Sequence, residues 1–250
     1  ASWDIETISS KNGDIRCYPE RDQIGMISIV KENSWDKGKR MRVLLHCHQE
    51  DILSWASEWT VVRFDTEVQM IEAYFQYTRD SDFIIAHNGN GFDIPYIVTR
   101  ASCIGASTKA WKSLNGSGRP FRYVRRQRSS NQMKTVDTAI AEAPGKIMFD
   151  SYIWARCNLS LSRYNLNTFA KFCKIPGKAD MEYKFIYSIW HKIPKGSGGY
   201  SLQNLAEYCG IDSELALDCT LIQDSLGQTV AKAKVCRVNA RAILDRGLQY

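Results

Sequence analysis

The chain has 250 residues, 44 % hydrophobic and 24 % charged, with a net charge of +6. That length buries a full core without disulfide or metal staples, and no apolar run approaches the ~20 residues that a bilayer requires, so a stapled mini-protein and a helical membrane span are excluded. The excess of base over acid suits a polyanionic partner without naming one.

From the N-terminus, apolar runs and alternation predict strands over Ser2 to Thr7, Gln23 to Lys31, Arg42 to His46 and Val61 to Phe64, a start that reads as a β-meander. From Thr66 the apolar positions Val68, Met70, Ile71, Tyr74, Phe75 and Tyr77 recur at helical spacing up to Arg79. Asp82 to Ala86 then reads as a short buried strand, His87 to Gly91 as a turn, and Phe92 to Ser102 as a helix with Pro95 in its first turn. Lys109 to Lys134 is polar and basic and reads as an exposed loop or hairpin. Strands follow at Lys134 to Ala139 and Lys146 to Asp150, and helices near Ser151 to Arg156, Leu166 to Phe172 and Met181 to His191. Lys195 to Gly199 is a connector, and one long helix is expected from Leu202 to Gly227, with a kink at Gly210.

No leader with a basic then apolar pattern opens the sequence, so the eight cysteines are read as intracellular thiols. None stands in a C-x₂-C pair, and the isolated His46-Cys47-His48 triplet is read as structural rather than as a metal site.

Chemistry is concentrated in the acids. Along a strand residues i and i+2 share a face, so Asp4 and Glu6 project together while Trp3, Ile5 and Thr7 point the other way. Alone, such a pair is an edge strand with its acids in water. Asp93 falls in the first turn of a helix after a buried strand, where it could merely complement the helix dipole. Tyr208 and Asp212, four apart in a helix, lie on one face. If the four acids converged, each pair at ~4 Å would repel by roughly 4 kcal/mol at an effective dielectric near 20, and the cluster would need cations. Hard divalent ions prefer carboxylate oxygens, and two of them can clamp the attacking and leaving oxygens of a phosphodiester.

In chain order, Trp3-Asp4-Ile5-Glu6-Thr7, then His87-Asn88-Gly89-Asn90-Gly91-Phe92-Asp93-Ile94-Pro95-Tyr96, then Glu207-Tyr208-Cys209-Gly210-Ile211-Asp212-Ser213 resemble the three exonuclease motifs of family B DNA polymerases: D-I-E, N-x₃-F-D and Y-x₃-D. The likeness extends to Tyr18-Pro19-Glu20-Arg21-Asp22, to Gly145 through Asp150 (the family's G-R-x-x-x-D strand), to Ser162 through Asn167 (its S-Y-x-L-N turn) and to Val235 through Gly247. It covers nearly the whole chain.

The resemblance implies an α/β, ribonuclease-H-like fold with a mixed central sheet flanked by helices, and a proofreading 3′→5′ exonuclease that releases nucleoside monophosphates from a single-stranded or frayed DNA 3′ end. It implies two divalent ions, Mg²⁺ or Mn²⁺. Asp4 would bridge both, Glu6 and Asp212 would help hold the first, Asp93 would support the second, and Tyr208 would orient the attacking water. Asn88 and Phe92 match positions near the terminal nucleotide; Asn88 contacts the strand or ties the turn, and Phe92 reads more readily as core than as a stacking platform. Residues 1–230 would form the exonuclease domain and 231–250 the start of a connection towards a polymerase palm, whose D-x-x-S-L-Y-P and Y-G-D-T-D signatures this chain lacks. The remaining polymerase domains are then its partners, with the isolated domain a monomer in the nucleus or a viral replication compartment and no membrane association.

Departures are few. Ala86-His87 stands where the family has Gly-Tyr or Gly-Phe, so His87 points at the site or fills the strand end, and Asp150 reads as structural rather than as a fifth ligand. Arg119, Arg122, Arg125 and Arg126, interleaved with Phe121 and Tyr123, either track a phosphate backbone or form a solvated loop. Other functional readings are a tyrosine-type exoribonuclease and a catalytically silent module that binds single-stranded DNA.

Overall fold

In the computed structural model the described residues are 1–11, 16–33, 36–112, 122–128, 136–143, 145–178 and 181–246, with 37, 112, 122–128, 136–142 and 245–246 described by backbone alone. Six strands form one sheet: β1 (Ser2–Ile8), β2 (Gln23–Asn33), β3 (Asp36–His46), β4 (Trp59–Arg63), β5 (Phe83–Ala86) and β8 (Ile147–Asp150), in the order β4-β3-β2-β1-β5-β8. The strands β1, β2 and β3 are antiparallel neighbours, whereas β4 runs parallel to β3, and β5 runs parallel to both β1 and β8. The sheet is therefore mixed, and the expected meander stops at β3.

Each sheet face has its own core. Trp3 and Ile5 of β1 and Ile27 and Ile29 of β2 pack with Tyr74 and Phe75 of α1 (Glu67–Tyr77) and Ile97 of α2 (Asp93–Ile104). On the other face Met26, Val30 and Leu44 meet Phe169 of α5 (Leu166–Phe172), Trp190 of α6 (Ile186–Trp190) and Leu205 and Leu217 of α7 (Leu202–Ile222). The period-two alternation of β1 and β2 thus sorts their side chains between two apolar layers.

Helix starts follow the capping chemistry of their sequences. Thr66 with Gln69, and Ser201 with Asn204, close reciprocal capping boxes at α1 and α7. The long C-terminal helix expected as far as Gly227 ends at Ile222; Asp224 adopts φ 46°, and α8 (Ser225–Cys236) begins a new direction before α9 (Ala240–Arg246). Gly210 sits inside continuous α7 rather than at a helix break. The helix expected over Met181 to His191 is shorter, a 3₁₀ turn at Tyr183–Phe185 leading into α6. The remaining elements are α3 (Lys109–Lys112), α4 (Ser151–Asn158) and an antiparallel ribbon of β6 (Arg122–Arg128) and β7 (Val136–Glu142), which gives the basic stretch its hairpin backbone.

Candidate active site

Strand β1 places its acids where three elements meet. Trp3 and Ile5 turn into the α1/α2 core, so Asp4 and Glu6 project from the opposite face, against which α7 packs. A bulge between Glu6 and Thr7 breaks the β1–β2 register just beyond them. Strand β1 is paired with β5 only at Ser2↔Ile85, and further along it the Ile5 backbone faces the carboxylate of Asp93, the first residue of α2, and favours its charged form. The helix start thereby delivers a third carboxylate to the acid strand.

Helix α7 supplies the fourth. The Cys209 carbonyl accepts a hydrogen bond from the Ser28 hydroxyl at 2.7 Å, and the Cys209 thiol lies 3.9 Å from the Asp4 carbonyl oxygen. This anchors the turn between Tyr208 and Asp212 over β1 and β2.

The acids act on one another through their charges. Burial, then the charges of Asp93, Asp212 and Glu6, holds the Asp4 carboxyl well above its ordinary range. Burial and Asp212 push Glu6 up to about 8, and burial pushes Asp93 up to about 7 against the opposing pull of the Asp93 and Ile5 backbone. A cation faces this charge: Lys178 ion-pairs with Asp212, and its ammonium stands 3.6 Å from the centre of the Tyr208 ring.

The donor set fits hard cations. Carboxylate oxygens of Asp4 and Glu6 and the Cys209 sulfur lie within 4.8 Å of one another, but burial pushes the thiol well above its usual value, so it stays protonated at neutral pH. Oxygen ligands remain, the preference of Mg²⁺ and Mn²⁺ rather than of thiophilic metals.

The turn after β5 is built around Asp150. Its carboxylate accepts the amides of Asn88 (3.1 Å) and Asn90 (2.9 Å) as well as those of Tyr152 and Ile153 at the start of α4. With four amides to satisfy, Asp150 is occupied structurally. His87 is similarly engaged: Nε2 donates to the Tyr164 carbonyl at 2.9 Å, and Nδ1 lies 3.0 Å from the Ser151 hydroxyl. Burial lowers the His87 pKa to about 4, so the ring is neutral, fills the strand end and turns away from the acids' chemistry. Asn88 takes the left-handed φ of 65°, and a Cβ at Gly91 would come 2.5 Å from its side-chain oxygen, so a side chain at the second glycine of the turn would displace the Asn88 amide.

A cleft of about 520 Å³ opens beside Glu6. Tyr18, Phe92 and Tyr183 line it, exposed by 48, 40 and 60 % respectively, with Arg16 and Lys184 at its walls. The expectation that Phe92 belongs to the core is overturned, because its ring lies on the cleft surface against Tyr96 at 5.4 Å between centroids.

Residues 1–169 match the family described as DNA polymerase family B, exonuclease domain. The chain belongs to this family. Its mixed sheet with flanking helices is accordingly the ribonuclease-H-like sheet of a family B exonuclease domain. The family match ends before α7, but similarity to whole polymerases continues through it. The chain is 30 % identical to the DNA polymerase catalytic subunit of Epstein-Barr virus (strain B95-8), 29 % to that of Human herpesvirus 8 type P (isolate GK18) and 28 % to that of Equine herpesvirus 2 (strain 86/87), in each case over 99 % of this chain. These alignments cover 24 % of each relative, so the chain spans about a quarter of the length of the curated relatives it matches.

Among the residues expected to serve this exonuclease domain, Asp4, Glu6, Asp93 and Asp212 act on one another through their charges and Tyr208 shares Lys178 with Asp212, while Asn88 lies in the turn before α2 and Phe92 at its start. Arg122, Arg125 and Arg126 lie on β6, where only the backbone is described, and Arg119 lies outside the described residues. Sequence reasoning missed Lys178 and the Tyr18–Tyr183 cleft. Lys178 occupies a non-periodic connector after α5, so no amphipathic pattern singles it out. No helix among the described residues is long and apolar enough to cross a membrane.

Proposed function

We propose that this domain is a proofreading 3′→5′ exonuclease that hydrolyses the terminal phosphodiester bond of an unpaired DNA strand. The observation that carries this reading is the convergence of four carboxylates, from β1, α2 and α7, beside a cleft of exposed aromatic and basic side chains. Asp4, Glu6, Asp93 and Asp212 would hold two divalent cations, Mg²⁺ or Mn²⁺. Such ions, when bound, activate water and neutralise the charge that develops on the phosphate oxygens.

The chain's own side chains do the rest. Mutual repulsion among the buried acids gives cations a reason to bind and keeps the carboxylates protonated without them. Tyr208 orients the attacking water through its hydroxyl, and Lys178 over its ring restrains the phenol and offsets the Asp212 charge. Tyr18, Phe92 and Tyr183 offer flat faces on which the last bases stack, while Arg16 and Lys184 follow the phosphates. A stacked, unpaired end selects frayed over paired termini. In this reading residues 1–230 form the nuclease and the segment beyond leads towards the polymerising domains of a longer chain, which shares the DNA substrate with it.

The test is digestion of 3′-labelled and 5′-labelled DNA and RNA oligonucleotides of one sequence in Mg²⁺ and in EDTA. Stepwise loss from the DNA 3′ end in Mg²⁺ alone, abolished in Asp4→Ala and Asp212→Ala, is expected. Wild-type rates in either variant overturn the site, and preferential digestion of RNA overturns the substrate.

A further inference from the structure

We propose that Ser28 is a positioning residue of this site, fixing the Tyr208–Asp212 turn of α7 at a set separation from the Asp4–Glu6 strand; this rests on the exonuclease reading above. Ser28 lies on β2 as the register partner of Asp4, so the two side chains leave the sheet on the same face. The Ser28 hydroxyl is fully buried and donates at 2.7 Å to the carbonyl of Cys209, the residue that follows Tyr208. A carbonyl in mid-helix has a second lone pair, so this bond is made in addition to the helix ladder. One hydroxyl therefore joins β2, the antiparallel partner of the strand that carries two of the acids, to the helical turn that carries the tyrosine and a third.

The same turn is held from its other side by shape. A Cβ at Gly210 would come 2.5 Å from the Trp55 ring and 3.0 Å from that of Trp59, and these two indoles stack on each other at 4.7 Å between centroids. Gly210 thus lets α7 close onto the indole pair, while Ser28 draws the preceding residue onto the sheet. The bond and the indole contact act on the backbone between Tyr208 and Asp212, so displacing either moves both of those side chains relative to Asp4 and Glu6. Cys209, whose carbonyl receives the bond, is itself packed against Asp4 and leaves no slack between the two elements.

The control lies in the same helix. Thr220 is also fully buried, and its hydroxyl donates to the Ala216 carbonyl at 2.7 Å, but it sits about two turns beyond Asp212. Ser28→Ala is expected to lower kcat on a 3′-labelled single strand by roughly tenfold or more, since ångström-scale misplacement of reacting groups is enough to do so, with KM unchanged. Mn²⁺ binding followed by electron paramagnetic resonance is expected to weaken in parallel. Thr220→Val should keep wild-type kcat and Mn²⁺ affinity. Gly210→Ala, which presses the turn from the indole side although alanine favours a helix, should reproduce the loss and carries the test if Ser28→Ala does not fold.

Wild-type kcat and Mn²⁺ affinity in Ser28→Ala, or equal losses in Ser28→Ala and Thr220→Val, overturn the proposal. A wild-type protein that binds Mn²⁺ yet digests no strand overturns the exonuclease reading instead, and the Mn²⁺ comparison between Ser28→Ala and wild type still decides on Ser28.

Discussion

The Lys178 ammonium ion-pairs with the Asp212 carboxylate while standing 3.6 Å from the centre of the Tyr208 ring. It also pulls the Asp4 and Glu6 carboxyls back towards their ordinary range. Lys178→Met removes that pull, so both carboxyls rise further and the ionised cluster forms only at higher pH. The ascending limb of the pH–rate profile should move up by about one unit, with activity lost near neutrality and partly regained in alkaline buffer. A uniform loss at every pH would assign Lys178 to restraining Tyr208 rather than to charge.

The acid cluster also sets the stability of the metal-free protein. Glu6 rises from 4.5 to about 8 on folding and Asp93 from 3.8 to about 7. Between those limits the native state binds more protons than the unfolded chain, so stability falls as pH increases through this window. Each unit of separation corresponds to about 1.4 kcal/mol, enough to move the melting temperature by several degrees. In EDTA, unfolding near pH 8 should occur at a lower temperature than near pH 5. Excess Mn²⁺ at the higher pH should reverse the difference, and Glu6→Gln should flatten the EDTA profile. A metal-free melting temperature that rises with pH would show that these carboxyls are not held protonated by burial and mutual repulsion.

Much of this arrangement is legible in the sequence because it is local. The alternation Trp3-Asp4-Ile5-Glu6 assigns the acids to one strand face by period alone, and Asp93 announces itself as the first residue of a helix after a buried strand. What is not legible depends on elements distant in sequence. The parallel pairing of β4 with β3 needs the register of Val43 with Thr60, which no short-range pattern encodes. Ser28 reads as one more strand residue until α7 is laid across it, and Lys178 as one more surface lysine until the connector folds over Tyr208. Glycine signals both helix interruption and close packing, and at Gly210, where the sequence suggests a kink, the second applies, while the break at Asp224 carries no such signal.

Asp150 and His87 make a contrasting pair of predictions. Asp150→Ala strands the amides of Asn88 and Asn90 and uncaps α4, and should destabilise the protein by about 2–4 kcal/mol in chemical denaturation. Activity should fall with it, because Asn88 and Asn90 hold the turn that leads into Asp93. His87, neutral with a pKa of about 4, should contribute no inflection to the pH–rate profile near neutrality, so His87→Gln should keep the shape of the curve whatever it does to the rate. A neutral-pH inflection that vanishes in this variant would return His87 to the chemistry.

The cleft makes the last prediction, and it separates binding from catalysis. Tyr18 and Tyr183 are exposed and line the cleft beside Glu6, a placement that suits their rings to stacking on bases. Removing a stacking platform costs about 1–3 kcal/mol per base, so Tyr18→Ala and Tyr183→Ala should each raise KM for a single strand by roughly tenfold or more with kcat retained. Arg16 and Lys184 should act through salt: each change to Ala should reduce the slope of log affinity against log salt by about 0.7, the contribution of one released counterion on a single strand. Paired Ala substitutions at Arg125 and Arg126 on β6, measured in the same titration, distinguish phosphate contact by the ribbon from a solvated hairpin. A slope unchanged by Arg16→Ala and Lys184→Ala, together with an unchanged KM in both tyrosine variants, would remove the strand from this cleft while leaving the four acids in place.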